Sequence, residues 1–371
     1  MKILVNASNL KVGGGLQVAE SLCGLLPNFD KHIFYIVLSE RLKHIRLCMS
    51  EYGNINIVEY TQHLSLYNIV TGQDKILDGL ISKHKIDAVL TVFGPSRWKP
   101  KCFHLCGFAM PHIVLPESPY WELLSPIAYL KLKLRVQLMK RDFRINNDML
   151  WCENEYISQR LRKLLKNKRV ETITNNYNQI FDYPEQWDRS IKLPSFNGIT
   201  LLTITASYPH KNISIALPAL DEIKKIAPEL NVRFVFTVNR DQYPTVPDKY
   251  KENIIFLGPV TINQCPSLYE QADIMFQPSL LECFSATYAE AMKMEIPVLA
   301  TDLGFAHSLC GNAAVYYKAT DPKELAKGIV RITSNKDVVK EIVSNGTIQL
   351  GRFDTFKERA DKLIKILENN I

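Results

Sequence analysis

The sequence predicts an α/β protein built from two Rossmann-like domains, and three observations lead there. The chain has 371 residues, more than one hydrophobic core ordinarily organises, so two domains are expected. Apolar residues make up 46% and charged residues 22%, an ordinary globular balance that argues against disorder. In both halves, short apolar runs alternate with segments long enough for crossover helices, the pattern of a parallel sheet.

In the first half, residues 3–5, 33–38, 86–92 and 149–151 read as short buried strands, and 102–105 is strand-like. The second half repeats the pattern at 200–204, 232–238, 254–257, 274–276 and 297–300. A polar, aromatic, proline-containing stretch separates the halves and is expected as the linker. The expected boundaries are therefore an N-terminal domain over 1–172, a linker over 173–196 and a C-terminal domain over 197–353. Two such sheets are expected to face a central cleft at their carboxyl ends, where ligands of these sheets bind. In 354–371, Phe356, Ala360, Leu363, Ile364 and Leu367 recur at helical spacing, an amphipathic helix that must dock on something. Residues 130–136 alternate strictly, as a strand would, while their surroundings read as helix; periodicity leaves both open.

Composition narrows the functional classes. The chain enters a strand-like run directly after Met1-Lys2, without the apolar stretch of a signal peptide, so a cytoplasmic location is expected. The longest nearly uncharged central run, 105–115, is about half of the roughly 20 residues a membrane-spanning helix needs. Eight cysteines are scattered, and only Cys102 and Cys106 lie close together; reduced, mostly buried thiols and no metal site are expected. The net charge is +7, and between Lys131 and Arg169 twelve Lys/Arg oppose only four Asp/Glu, so this segment holds the whole excess. Such a cluster attracts phosphate or anionic headgroups. Nucleic acid is disfavoured because no aromatic stacking positions are interleaved.

Four constellations carry chemistry. In the first, a short strand at 274–276 runs through Pro278-Ser279-Leu280-Leu281-Glu282-Cys283-Phe284-Ser285-Ala286-Thr287 into a helix containing Glu290. Ser285 is a plausible N-cap, so the backbone N–H groups near Phe284, Ser285 and Ala286 are expected to form an anion site. Glu282 and Glu290 then flank a bound diphosphate, suited to hydroxyl groups rather than to the phosphate itself. Taken bare, two glutamates eight residues apart also describe a solvated helix face. In the second, Ser207-Tyr208-Pro209-His210-Lys211 follows a strand directly, where a lysine can clamp a departing diphosphate. In the third, Gly13-Gly14-Gly15 lies between a strand and a helix; Gly14 and Gly15 are candidate phosphate contacts. The dinucleotide fingerprint fails there, because Val18 stands where its last glycine is needed. The fourth is Gly107-Phe108-Ala109-Met110-Pro111-His112, with His112 the candidate histidine and His104 its rival.

The stretch from residue 254 to about 330 resembles glycosyltransferase family 4, a retaining family of the GT-B fold. The resemblance is carried by Ile255-Phe256-Leu257-Gly258-Pro259-Val260, Leu268-Tyr269, Ala272-Asp273, Pro278-Ser279, the E-x7-E pair, Ile296-Pro297-Val298, residues 310–316 and Asp321-Pro322, in order and register. It implies an N-terminal acceptor domain, a C-terminal donor domain and a final helix, 354–371, that packs back on the N-terminal domain. It implies that Glu282 lies beside the donor sugar, that Glu290 holds the ribose hydroxyls, that Lys211 takes the diphosphate and that His112 approaches the sugar. The chain departs from the family at Cys283, Ser285 and Glu295, where glycines are usual. It also lacks the arginine commonly found just upstream of the lysine, so His210, Ser207 or Arg240 would have to substitute.

The implied activity is retaining, metal-independent hexosyl transfer that needs no cofactor. The donor would be a nucleotide-diphosphate sugar and the acceptor a lipid-linked oligosaccharide, in O-antigen (lipopolysaccharide) or capsule polysaccharide assembly. The enzyme would then work peripherally at the inner face of the cytoplasmic membrane, with the basic segment on anionic lipid. A nucleotide-sugar epimerase of the same fold and a non-catalytic nucleotide-sugar-binding partner subunit are the alternatives.

Overall fold

A computed structural model describes residues 1–11, 13–60, 68 and 71–371. The apolar runs of the N-terminal half become parallel strands: β1 (Lys2–Ala7), β2 (Ile33–Leu38), β3 (Ile55–Val58), β4 (Ala88–Thr91), β5 (Phe103–Gly107), β6 (Met149–Cys152) and β7 (Arg169–Thr172). Their order is β3-β2-β1-β4-β5-β6-β7. Register runs Lys2 to Ile33 and Ile3 to Ala88 on the two sides of β1. The helices include α1 (Gly14–Leu25), α2 (Arg46–Met49), α3 (Lys75–His84), α4 (Pro126–Ile145) and α5 (Glu155–Leu164). The C-terminal half repeats the plan with β8 (Ile199–Thr203), β9 (Val232–Phe236), β10 (Ile254–Phe256), β11 (Ile274–Gln277), β12 (Val298–Thr301) and β13 (Ala314–Tyr317), all parallel in the order β10-β9-β8-β11-β12-β13. It carries α6 (Ala216–Ile226), α7 (Cys265–Tyr269), α8 (Ala286–Lys293), α9 (Gly304–Cys310), α10 (Pro322–Ser334) and α11 (Lys336–Leu350), and the chain ends in α12 (Phe356–Glu368). The α/β architecture of two Rossmann-like domains is the one the sequence predicts.

The strands that pattern alone did not mark, β3, β7 and β13, are all sheet edges. An edge strand is covered less completely, so polar residues intrude: Asn56 in β3, Arg169 and Glu171 in β7. Central strands such as β4, β6 and β12 are buried along their whole length and stand out as uninterrupted apolar runs.

By internal contacts the chain divides into unit 1 (Met1–Pro116, Ser125–Asn175 and Asp354–Ile371) and unit 2 (Glu117–Leu124 and Asn176–Phe353). The apolar residues of α12, Ala360, Leu363, Ile364 and Leu367, join the core under β1, β2 and β4. A capping box between Thr355 and Glu358 starts that helix. The core of unit 2 gathers Phe234, Phe236 and Phe276 between α6 and α10.

Two segments differ from the expected boundaries. The stretch expected as linker is folded into unit 2 from Asn176 onward, where polar side chains take up its carbonyls. The Ser267 hydroxyl donates to the Asp188 carbonyl at 2.8 Å, and Gln271 Nε2 donates to the Ile191 carbonyl at 3.1 Å. Residues 117–124, expected in the N-terminal domain, group with unit 2, where the Ser118 hydroxyl donates to the Leu280 carbonyl at 2.7 Å.

The ambiguous stretch 130–136 is helix. Pro126 sits in the first turn of α4 and the Ser125 hydroxyl caps it from the N-terminal side. Val136, Met139 and Phe143 are buried at spacings of three and four, so the inward face follows a helical period. The alternation seen in sequence mixes both sides of the helix: Leu130 and Leu134 face outward, while Val136 is buried.

Candidate active site

In an open parallel sheet, ligands bind at the carboxyl ends of strands where strand order reverses. In unit 2 that point lies between β8 and β11, adjacent strands separated in sequence by β9 and β10. The loops leaving β8 and β11 are the Lys211 and Glu282 loops of the sequence analysis. They are tied together: the Leu280 N–H donates to the His210 carbonyl at 2.8 Å, and the Thr203 hydroxyl donates to the Phe276 carbonyl at 2.7 Å. Thr301, closing β12, donates to the Ser279 carbonyl at 2.8 Å.

This framework brings Lys211 Nζ and Glu282 Oε1 into an ion pair whose side chains are only 15% and 10% exposed. Lys211 ends a short helical turn, Pro209–Lys211, and Asn212 follows in the left-handed region at φ 47°, turning the chain back toward α6. Each side chain is mostly buried, and either charge alone would be costly to bury. An incoming diphosphate can take over the lysine because it offers more negative charge than one carboxylate.

His210 precedes this lysine but is not a second cation. Its ring stacks on Tyr208 at 5.5 Å and meets the Tyr120 ring edge-on at 5.9 Å. Burial pulls its pKa down to about 4; Glu282 opposes this shift and Lys211 adds to it. The imidazole is therefore neutral at physiological pH. Arg240 lies 5.0 Å over the Phe256 ring and donates to the Pro244 carbonyl at 3.2 Å, and the Ser207 hydroxyl sits 3.5 Å from the Gln242 carbonyl. Of the three expected substitutes, His210 is neutral and Ser207 carries no charge, while Arg240 is engaged with Phe256 and the Pro244 carbonyl.

Helix α8 starts immediately after the Glu282 loop. Ser285 occupies its N-cap position, but the expected capping bond is absent. The hydroxyl accepts instead from Gln277 Nε2 at 2.9 Å and pairs with the Thr287 hydroxyl at 2.8 Å. Gln277, the last residue of β11, outcompetes the backbone because it points from the strand end at that hydroxyl. The first N–H groups of α8 thus carry no side-chain cap, and the positive end of the helix dipole is open to an anion. Ser285 is at φ −133°, extended backbone that any residue adopts, so no glycine is required there. Ala286 opens the helix, and the Phe284 ring meets Phe353 edge-on at 5.7 Å.

Glu290, one turn into α8, is 4% exposed and its Oε2 accepts from the Tyr269 hydroxyl at 3.0 Å. Burial raises its carboxyl pKa to about 7, against the lowering effect of that hydrogen bond. The Tyr269 hydroxyl is itself pushed well upward by burial, so it stays protonated as the donor.

The remaining expected residues belong to unit 1. Gly13 is the N-cap of α1 at φ 74°, a conformation that favours glycine. Gly14 and Gly15 form the first turn; a Cβ on Gly14 would meet open space and one on Gly15 would touch Leu10 and Phe93 at 3.5 Å. His112 lies half-buried in the turn Pro111–Ile113. Its rival His104 is structural: Nδ1 donates to the Asn146 carbonyl at 2.6 Å and Nε2 accepts from the Thr91 hydroxyl at 2.8 Å. Burial holds its pKa near 4.

Sequence reasoning missed Ser118 and Tyr120, which brace the Glu282 loop and His210 from a segment distant in sequence. It also missed Gln277, whose signal was a polar residue closing an otherwise apolar strand.

Residues 198–335 match the family of glycosyl transferases group 1. The chain is similar to the O-antigen chain mannosyltransferase RfbU of Salmonella typhimurium, 27% identical over 42% of this chain and 44% of that protein. The match thus spans less than half of that relative's length. Two solved structures share the fold along the whole chain. A glycosyltransferase from Rickettsia africae has a TM-score of 0.70 at 17% identity, covering 99% of this chain and 98% of that one. Anabaena HepE in complex with UDP-glucose has a TM-score of 0.66 at 16% identity and covers 100% of both chains.

Proposed function

We propose that this GT-B chain, which carries a glycosyl transferases group 1 domain over residues 198–335, moves a hexosyl group from a nucleotide-diphosphate sugar to a lipid-linked saccharide, with retention at the anomeric carbon. The observation that supports it most is the buried Lys211–Glu282 pair at the switch point of unit 2, beside the uncapped amino end of α8. Lys211 and that helix end supply positive charge to the departing diphosphate, so the protein itself stabilises the leaving group without a metal. Ionised Glu290 accepts the ribose hydroxyls. In the transfer, the bond from the anomeric carbon to the phosphate oxygen breaks and the bond to the acceptor oxygen forms on the same face. The acceptor proton passes to the departing phosphate oxygen, and Glu282 stabilises the cationic sugar.

The Salmonella relative's name points to O-antigen assembly, so the acceptor proposed here is a saccharide on a lipid anchor, reached at the inner face of the cytoplasmic membrane. The test is proton NMR of the products formed from UDP- and GDP-sugars with membrane extract as acceptor. The reading requires a product whose anomeric configuration matches the donor's, at a rate that falls in Lys211→Ala. An inverted product, or a changed sugar released without acceptor, would overturn it.

A further inference from the structure

The twelve cations between Lys131 and Arg169 are not equivalent. On α5, Arg160 and Arg162 are committed to the fold: Arg160 Nε donates to the Val114 carbonyl at 2.7 Å, and Arg162 donates to the Val170 carbonyl at 2.8 Å and pairs with Glu155. Beyond α5, Lys168 spends one of its three N–H donors on the Asn147 carbonyl. On α4 the situation differs, because there exposed cations accompany exposed aliphatics. Ile127, Leu130, Leu134 and Leu138 are each between 60% and 70% exposed, and Ile145 continues the row at 36%. At about 100° per residue, Ile127, Leu134, Leu138 and Ile145 fall within about 20° of one line along the helix, with Leu130 beside it. Lys131 and Arg135 flank this stripe on one side and Arg144 on the other, all exposed.

The opposite face of α4 carries Val136, Met139 and Phe143 and is buried in unit 1. The outer stripe is therefore not needed for folding, yet it keeps five aliphatics in water across five turns. An outward apolar stripe bordered by cations is the arrangement of a helix that lies in a bilayer interface. At the carboxyl end of α4, Arg144, Lys166 and Lys168 line a pocket of about 440 Å3, a place for an anionic headgroup phosphate.

We infer that α4 is a lipid-docking helix: its Ile127–Leu130–Leu134–Leu138–Ile145 stripe seats at the headgroup–acyl boundary of an anionic membrane, with Lys131, Arg135 and the Arg144–Lys166–Lys168 pocket on the lipid phosphates. This deepens the membrane-linked acceptor of the proposed function and rests on it only for purpose. Charge complementarity selects anionic lipid over an apolar protein partner.

The test is flotation of the full chain with phosphatidylcholine vesicles, with and without phosphatidylglycerol, for wild type, Leu134→Glu/Leu138→Glu and Arg144→Gln/Lys166→Gln. Wild type is expected to float with the phosphatidylglycerol vesicles only, and both variants to bind them about tenfold more weakly or less. Undiminished flotation of Leu134→Glu/Leu138→Glu would overturn the proposal. So would a wild-type dimer that this variant converts to monomer while wild type ignores vesicles, because the stripe would then be covered by a second copy. Thermal stabilisation by nucleotide, read on the same samples, reports unit 2 separately: its loss in wild type would count against the proposed function and leave the vesicle result standing.

Discussion

Each unit holds a buried charged cluster. In unit 1, Arg359 of α12 is 1% exposed and donates to the side chains of Asn175 and Ser21, while Glu153 is held nearby at 6%. In unit 2, Lys211 and Glu282 pair at the ends of the loops leaving β8 and β11. Each unit also holds a buried carboxyl whose pKa is raised. Burial raises Glu153 to about 7 against the pull of Arg359, and it raises Glu290, in the helix after the Glu282 loop, to about 7 as well. A shifted pKa therefore does not separate catalytic from structural roles. Position does. The Arg359 cluster fastens the terminal helix: Thr174 and Asp354, next to Asn175 and Thr355, exchange backbone-to-side-chain bonds of 2.8 Å and 2.6 Å. The Lys211 cluster sits where strand order reverses, beside an uncapped helix end, and is part-exposed.

The contrast is broken most directly by removing one charge from each cluster. Lys211→Ala is expected to lower kcat about 10²- to 10³-fold, the usual cost of losing one stabiliser of a developing anion. It also strands Glu282, so the double variant Lys211→Met/Glu282→Gln should regain stability without regaining activity, read by thermal unfolding beside the transfer assay. Arg359→Met should cost about 3 kcal/mol of stability by removing the buried guanidinium that donates to Asn175 and Ser21, measured by urea denaturation. Its nucleotide affinity should stay at the wild-type value. A tenfold loss of that affinity would erase the distinction between the clusters.

Titration sharpens it. Glu153 and Glu290 have folded pKa values near 7 against 4.5 for the free side chain. At these two carboxyls the folded state holds protons that the unfolded state has lost, so their contribution to stability falls as pH rises from about 4.5 through about 7, while His104 and His210, held near 4, contribute the opposite slope up to about 6.5. Glu153→Gln should flatten that fall without touching ligand binding. Glu290→Gln should flatten it too, and should also abolish the rise in nucleotide affinity expected as Glu290 ionises near pH 7. Isothermal titration across that range checks both.

The smallest effect concerns backbone. Glu295 sits at φ 56° at the position where the sequence departs from a usual glycine. Glu295→Gly should raise stability by about 1 kcal/mol, read as a shift in the denaturation midpoint.

Much of unit 2 was legible in the sequence because its chemistry is local. The E-x7-E spacing places Glu282 before a helix and Glu290 within it, and a lysine directly after a strand falls at a sheet's carboxyl end. What was not legible depends on contacts between distant residues. Ser285 reads as a cap until Gln277 is found against it. His210 reads as a cation until Tyr120, from a segment between two stretches of unit 1, closes over it. Glu153 and Arg359 lie 206 positions apart in number, and nothing local marks them as partners. The edge strands β3, β7 and β13 were missed because they are less completely covered, although the edge strand β10 was read, and residues 130–136 stayed open between strand and helix because outward Leu130 and Leu134 and inward Val136 all fall on even positions.

The measurement that tests the account most directly is thermal unfolding with saturating UDP, GDP, CDP, dTDP and ADP, repeated on Lys211→Ala and Glu290→Ala. At about 100 times its dissociation constant, a bound nucleotide adds roughly 2.7 kcal/mol of stability. The account predicts a clear upward shift with one of the five that disappears in both variants. A shift that survives Lys211→Ala, or none with any nucleotide, would contradict a diphosphate site at the β8–β11 switch point.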